Sequence, residues 1–331
     1  FGQKFTKFSY QLGARVESYQ VKANYTTTTQ TGKFENDYIT VYPSAYLNYS
    51  LNEKNIFNLS LSRRVDRPSI QQTKPIRTYS TPRITGIGNA ELTPQFTNSA
   101  ELSYTKVVNK SSITANVFYR AISDQISQVF LNDETADPND IKLLQTYANF
   151  DNNNSYGFEV SANLKLNNWW DMQPSIDYST INQSGMVAIL NQNTNNYDLT
   201  KREVTTSAFN SRINNNFKIT QNFRMSLFGF YRGPVDNIQN ESKSMYKIDL
   251  GARYSFWNQK ANVNLRFNDV FNTMKYTFDS THPYPGSGEF RWESQSLFVG
   301  FNYMFGGGKN RALQRKQRDN NESKTSGGGL F

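Results

Sequence analysis

The sequence predicts an all-β chain that forms the wall of a transmembrane antiparallel β-barrel, and three observations carry that prediction. Apolar side chains recur at every second position over runs of nine or more residues, and the connections between runs alternate short and long. The third is compositional: a chain only 37% hydrophobic carries 24 Phe and 20 Tyr in 331 residues. Period two marks extended strands, because successive side chains point to opposite faces. Soluble β-sandwich strands run about five or six residues with a turn every 8–12 or so. The longer runs here suit strands tilted across a bilayer, which need about 9–11 residues facing lipid and lumen in turn. Rings that sit between oil and water account for the aromatic content.

The absences narrow the class. No window approaches the roughly 18 consecutive apolar residues of a spanning helix. Zero cysteines exclude disulfides and thiolate metal sites. The opening FGQKFTKFSYQ has neither the charged start and apolar stretch nor the cleavage site of a secretory leader, so an exported protein is expected here as a processed or cropped piece.

Taken in chain order, the strands are expected at about 8–25, 37–51, 55–65, 97–107, 112–130, 143–167, 169–184, 203–217, 222–234, 244–256, 260–275 and 290–305. In the first, Phe8, Tyr10, Leu12, Ala14 and Val16 alternate with Ser9, Gln11, Gly13 and Arg15; in the second, Val41 to Leu51 do so at odd positions. Phe158, Val160, Ala162, Leu164 and Leu166 mark the sixth, and Tyr246, Ile248, Leu250, Ala252, Tyr254 and Phe256 the tenth. The cleanest alternation is Ala261, Val263, Leu265 and Phe267 against Asn262, Asn264, Arg266 and Asn268. The last strand carries Leu297, Val299, Phe301, Tyr303 and Phe305 on one side. Short links fall at 51–55, 107–111, 166–169, 217–222 and 256–260, and long ones at about 26–36, 66–96, 131–142, 185–202, 235–243 and 276–290. Bacterial barrels alternate short periplasmic turns with longer outer loops. That orientation puts Trp169, Trp170 and Trp257 at the periplasmic girdle and Trp292 at the outer one, the two interfaces where indoles concentrate.

A closing strand of alternating apolar residues that ends on Phe305 resembles the signal read by the outer-membrane assembly machinery, although 26 residues follow it. Further pieces carry a more specific resemblance: SLSRRVDRPSI (60–70), GNAELTPQFTNSAELSY (88–104), NVFYRAISDQI (116–126), YANFDNNNSYGFEVSANL (147–164), YRGP (231–234), NDVFNT (268–273) and RWESQSLFVGFNYMFGGGKN (291–310). In order and spacing they resemble the barrels of TonB-dependent receptors, in particular the outer-membrane-protein β-barrel family of Bacteroidota. The resemblance implies a 22-stranded barrel with an N-terminal plug domain, of which residues 1–305 are the C-terminal portion; a complete twelve-stranded barrel is the other architecture. It implies energy-dependent uptake, with ligand bound by plug and outer loops and a TonB-type energy transducer pulling on the plug, and it leaves room for a surface lipoprotein capping the barrel. A passive channel and a structural or assembly-associated barrel are the competing functions. Outer-membrane lipids are partners in every case, and no nucleic acid or cofactor is expected.

The 66–96 connection is the expected ligand contact. Pro68, Pro75, Pro82 and Pro94 stiffen it, and Arg63, Arg64, Arg67, Lys74, Arg77 and Arg83 outweigh Asp66 and Glu91. A cationic mouth attracts anions, so Arg64, Arg67, Lys74, Arg77, Arg83 and Asn89 are the candidate ligand-binding residues. The competing reading pairs inward Arg64 with plug carboxylates and lets lipid-facing Arg63 snorkel to surface phosphates. Residues 306–331 hold six basic and two acidic residues between glycine runs and are expected to be a basic, solvated, disordered periplasmic tail, with anionic head groups as the alternative partner. Catalysis is not expected: the single histidine, His282, sits in the Pro/Gly stretch THPYPGSGEF. The Asp-Asn cluster 151–154 reads as loop solvation before it reads as a calcium site.

Overall fold

Period-two alternation makes one face of a strand greasy, but every backbone N–H and C=O still needs a neighbouring strand, and a bilayer offers no water to substitute for one. The computed structural model describes residues 1–26, 31–133, 142–191 and 196–305. Nineteen strands and one helical turn follow in order: β1 (Gly2–Lys4), β2 (Phe8–Thr26), β3 (Thr31–Asn52), β4 (Asn55–Asp66), α1 (Ile70–Thr73), β5 (Thr78–Thr81), β6 (Ile84–Gly86), β7 (Gln95–Val108), β8 (Ser111–Asn132) and β9 (Leu143–Lys165). They continue with β10 (Trp170–Asn191), β11 (Asn196–Lys218), β12 (Phe223–Arg232), β13 (Val235–Asp236), β14 (Asn240–Ser242), β15 (Met245–Phe256), β16 (Ala261–Asn268), β17 (Tyr276–Ser280), β18 (Gly286–Phe290) and β19 (Ser296–Tyr303).

The main sheet runs β1-β2-β3-β4-β7-β8-β9-β10-β11-β12-β15-β16-β19, with every neighbour along that path antiparallel. Its members from β2 onward are the twelve strands expected from the sequence. The outer edge of β19, and β2 beyond the three residues paired with β1, have no partner strand among the described residues, so the sheet is an open stretch of barrel wall.

Register sorts the two faces. One cross-strand row reads Tyr10, Leu47, Leu59, Leu102, Val117, Phe158, Tyr178 and Phe209. The row one residue away on the other face reads Ser9, Asn48, Asn58, Ser103, Asn116, Glu159, Asp177, Asn210 and Arg232. Leu102, Val117, Phe158, Tyr178 and Phe209 remain 40% to 60% exposed. A protein interior does not cover them, so acyl chains are the apolar medium.

Several outer strands outrun the membrane. β8 has 22 residues and β9 and β11 have 23 each, about twice the 9–11 or so that a tilted strand needs to cross. This corrects the expected loops: β2 and β3 stay paired to Thr26 and Thr31, and β10 and β11 to Asn191 and Asn196. Beyond the bilayer a ladder needs no greasy face, so the apolar alternation that marks a strand in lipid fades there while the pairing persists. The cluster 151–154 likewise lies inside β9 rather than in a loop, with Asn153 buried and its amide donating to Gln125 Oε1 at 2.6 Å. In the opposite sense, the eleventh and twelfth strands are shorter than expected, ending at Asn268 and starting at Ser296. The chain leaves the wall at Asp269, whose φ is 45°. The connections after β12 and β16 pair with each other as a second sheet, β13-β14-β17-β18. The expected tail, 306–331, lies outside the described residues.

Candidate functional site

The connections after β4, β12 and β16 pack against the outer end of the wall as a cap. The chain after β4 turns through α1, where Ser69 and Gln72 form a reciprocal capping box. It returns with Gly88 against the Lys74 backbone; a Cβ at Gly88 would lie 2.5 Å from Lys74 O, so only glycine fits this approach. β6 then adds in parallel to the outer end of β9. Arg77 donates to Thr85 Oγ1 at 3.1 Å and to Asp133 Oδ2 at 2.5 Å, and Thr85 donates to the same carboxylate at 2.7 Å. Asn89 donates to Tyr147 O at 3.0 Å and accepts from the Glu91 N–H at 2.9 Å.

The next connections close over the neighbouring strands. Gln239, buried, presents its amide to Phe130 as another strand would: its Nε2 donates to Phe130 O at 2.7 Å and its Oε1 accepts from Phe130 N–H at 2.9 Å. Ile238 packs beside it into a core with Val129, Phe150 and Val187. Arg202, on β11, donates to Ile238 O at 2.7 Å and Thr281 Oγ1 at 3.0 Å and lies 3.0 Å from His282 Nδ1. Burial, reinforced by the Arg202 charge, pushes His282 below its ordinary pKa. Tyr284 donates to Asn132 Oδ1 at 2.6 Å. In the small sheet, hydrogen bonds from Lys275 and Arg291, at 2.7 and 2.5 Å, pull Glu289 down to about 2.

Where the chain leaves β16, the Asp269 side chain is fully enclosed. Its carboxylate accepts from the backbone N–H groups of Thr273 (2.9 Å) and Met274 (3.0 Å) and from the hydroxyls of Ser294 (2.6 Å) and Thr273 (3.2 Å). Burial raises its pKa, but these donors together outweigh it and hold the group below the ordinary carboxylate range.

Beneath the cap the lumen face carries charge unevenly. Near β2, Arg67 reaches back to Glu17, with its guanidinium 4.5 Å from the centre of the Tyr19 ring; Arg15 bonds the same carboxylate at 3.0 Å and lies over Tyr42. On β7 to β10 the phase holds Glu101, Glu159, Asp171 and Asp177 with Arg120 and Lys165, and Arg120 bonds Glu101 at 3.0 Å. Inward of Arg202, the same phase of β11 to β16 holds Arg212, Lys218, Arg224, Arg232, Lys247, Arg253 and Arg266 against Asp249 alone.

Residues 1–303 match the outer membrane protein beta-barrel family. The chain belongs to that family. No curated protein matches the sequence. Among solved structures the barrel wall is similar to the siderophore receptor PirA of Pseudomonas aeruginosa, at 12% identity and a TM-score of 0.54, covering 89% of this chain and 47% of that one. It is similar to the FrpB iron transporter of Neisseria meningitidis, F5-1 variant, at 14% identity and 0.55, covering 91% and 44%. It is also similar to a variant of the ferric enterobactin receptor PfeA of Pseudomonas aeruginosa, at 12% identity and 0.51, covering 82% and 38%. At such identities the likeness is one of fold, and the chain spans less than half the length of each. Family and fold together place the protein in the bacterial outer membrane.

Within this outer-membrane barrel wall the six candidate ligand residues separate. Arg67, Arg77 and Asn89 are engaged inside the protein as described, whereas Arg64 and Arg83 are exposed, Arg64 on the lumen phase of β4. Lys74 is half-buried in the turn after α1 and contributes its backbone to it. Arg63 faces lipid between Leu61 and Val65, with its guanidinium 4.8 Å from the centre of the Phe96 ring. Trp169 stacks on Trp170 at 5.9 Å and on Phe217 at 6.1 Å beside the 166–169 turn. Trp257 meets Phe256 and Tyr303 edge-on at 4.9 and 5.8 Å. Trp292 lies outside β19, in the connection before it, 5.8 Å from Phe290. Leu297, Val299, Phe301 and Tyr303 pair with Phe267, Leu265, Val263 and Ala261 of β16, and Phe305 follows at 83% exposure.

Sequence reasoning missed Gln239, Asp133, Asp269 and the Glu17–Tyr19 contacts of Arg67. Of these only Asp269 carried a signal, because it lies in NDVFNT (268–273), a segment of the resemblance that gave its aspartate no role.

Proposed function

We propose that the chain is the lumen wall and outer cap of an energised uptake receptor. The observation behind this reading is the cap itself. The connection after β4 is hydrogen-bonded to the outer ends of β8 and β9, and those after β12 and β16 to each other and to β8 and β11, an ordered external surface of the kind a receptor presents to a ligand. The fold shared with siderophore receptors and an iron transporter supports the reading. Exposed Arg64 and Arg83 are the candidate cations left for an anionic ligand, with half-buried Lys74 in the connection between them in sequence. An N-terminal plug with the remaining strands, a TonB-type transducer, the assembly machinery and a surface lipoprotein are the proposed protein partners, and residues 306–331 the proposed periplasmic tail.

The test uses the full-length gene. A deletion strain is supplied with ferric siderophores, cobalamin, oligosaccharides or peptides one class at a time. Loss of growth on one class is expected, with uptake in the parent abolished by a protonophore. Unchanged growth on every class refutes the reading, as does a steady open conductance of the full-length protein in planar bilayers, which marks a passive channel.

A further inference from the structure

The periplasmic turn between β7 and β8 carries cations that nothing in the wall answers. Its two residues are Asn109, whose φ of 54° is a left-handed conformation that asparagine tolerates, and Lys110. Lys106 stands on the lipid-facing phase of β7, two places beyond Tyr104 and opposite Ile113 of β8. Both lysines are exposed. Neither has an ion-pair partner among the described residues, and Asp171, opposite Lys165 in the adjoining pair of strands, is taken by Lys218 at 2.8 Å.

Beside these lysines the lipid face dips. Val108 stands opposite Ser111, a short side chain whose Oγ is engaged by the Lys165 N–H at 3.0 Å, so the surface falls away between Val108, Ile113 and Leu164. The hollow measures about 450 Å³ and is mostly apolar, with Lys106, Lys110 and Asn168 at its border. That volume lies within the range of about 300–1,000 Å³ found for small-molecule sites. Trp169, exposed in the next short turn, marks the level of the hollow, since indoles gather where acyl chains give way to head groups. Lysines at that depth lay their stems along apolar surface and carry the ammonium to the phosphates.

We infer that this hollow binds one anionic phospholipid of the periplasmic leaflet, its phosphate between Lys106 and Lys110 and the start of an acyl chain on Val108, Ile113 and Leu164. An apolar floor beside two unanswered ammonium groups complements a molecule that is greasy at one end and anionic at the other. A free phosphate would leave the floor uncovered. An acidic peptide would have to set its backbone against acyl chains with no strand edge to pair with, because β7, β8 and β9 are each paired on both sides here. The 51–55 turn, LNEKN, holds Glu53 beside Lys54 and is neutral overall, which makes it the control. The inference needs the orientation of the wall in the outer membrane and not the uptake reading.

Native mass spectrometry of the full-length protein in detergent counts bound molecules while phosphatidylglycerol, phosphatidylcholine or inorganic phosphate is titrated in. Retention of one phosphatidylglycerol, at concentrations where the other two are not retained, is the expected result. Lys106→Gln with Lys110→Gln should weaken that binding about 30-fold, since one lysine near an anionic surface is worth roughly fivefold. Lys106→Arg with Lys110→Arg should keep it, and Lys54→Gln should leave it unchanged. Heat-modifiable electrophoretic migration confirms that each variant is folded. Equal retention of phosphatidylcholine marks a greasy groove without a phosphate site, and equal retention of inorganic phosphate marks a free-anion site; either overturns the inference. So does a double glutamine variant that binds as before, or a loss as large in Lys54→Gln. In the native membrane, p-benzoylphenylalanine at Asn168 should capture lipid on irradiation, and capture of a protein in its place overturns the inference as well.

Discussion

Replacing Val117 by Arg should unfold the barrel far more readily than replacing its neighbour Asn116 by Arg. Val117 lies six residues beyond the start of β8 at Ser111. At about 3.3 Å per residue and a tilt of about 40° it stands roughly 15 Å above the periplasmic turn, near the middle of an apolar band about 25 Å tall. Its cross-strand neighbours are Leu102 and Phe158, and it is 60% exposed, so an arginine there has only acyl chains around it. A cation at the midplane of a barrel's lipid face costs about 2–4 kcal/mol, which is about 30- to 700-fold in the folding equilibrium. Asn116 points into the lumen directly opposite Glu159, and its Oδ1 is buried without a hydrogen bond, so an arginine there gains a carboxylate and should change stability by no more than about 1 kcal/mol. Urea titration of the full-length protein in liposomes, read by heat-modifiable migration, measures both. Equal midpoints for the two variants, or a more damaging Asn116→Arg, would refute the assignment of faces and the membrane reading with it.

Gln239→Leu should leave the Phe130 N–H and C=O unpaired beneath the cap, at about 1–3 kcal/mol; faster hydrogen exchange at Phe130 with an unchanged barrel core is the expected readout. Asp269→Asn should loosen the connection after β16 by a similar amount, about 1.5–3 kcal/mol, seen as faster proteolysis between 269 and 295. Because the folded pKa of Asp269 is depressed, its contribution is full above the ordinary value of 3.8 and disappears as the pH falls through the lower folded value. In the asparagine variant that acid-dependent component should be absent. His282 is depressed below 6.5 for a different reason, burial first and Arg202 second, so its neutral form supports the cap above that pH and the support fades as acid charges it. Proteolysis of the 276–290 connection should quicken from pH 7.5 to pH 5, and less so in Arg202→Gln.

Composition and alternation determined the fold class, the twelve wall strands and the short turns, because lipid imposes a two-residue period on any strand that crosses it. They could say that Arg224 and Arg253 share a phase with polar neighbours. Only register puts the two side chains opposite each other, since a shift of one residue along either strand would turn one of them to lipid. The cap lay further from reach. Gln239 meets Phe130 and Arg77 meets Asp133 across 109 and 56 residues of sequence, and hydrogen bonds between irregular connections leave no periodic trace. The medium around the strands wrote the pattern that is legible in the chain; the contacts among the outer connections exist only once the wall has brought them together.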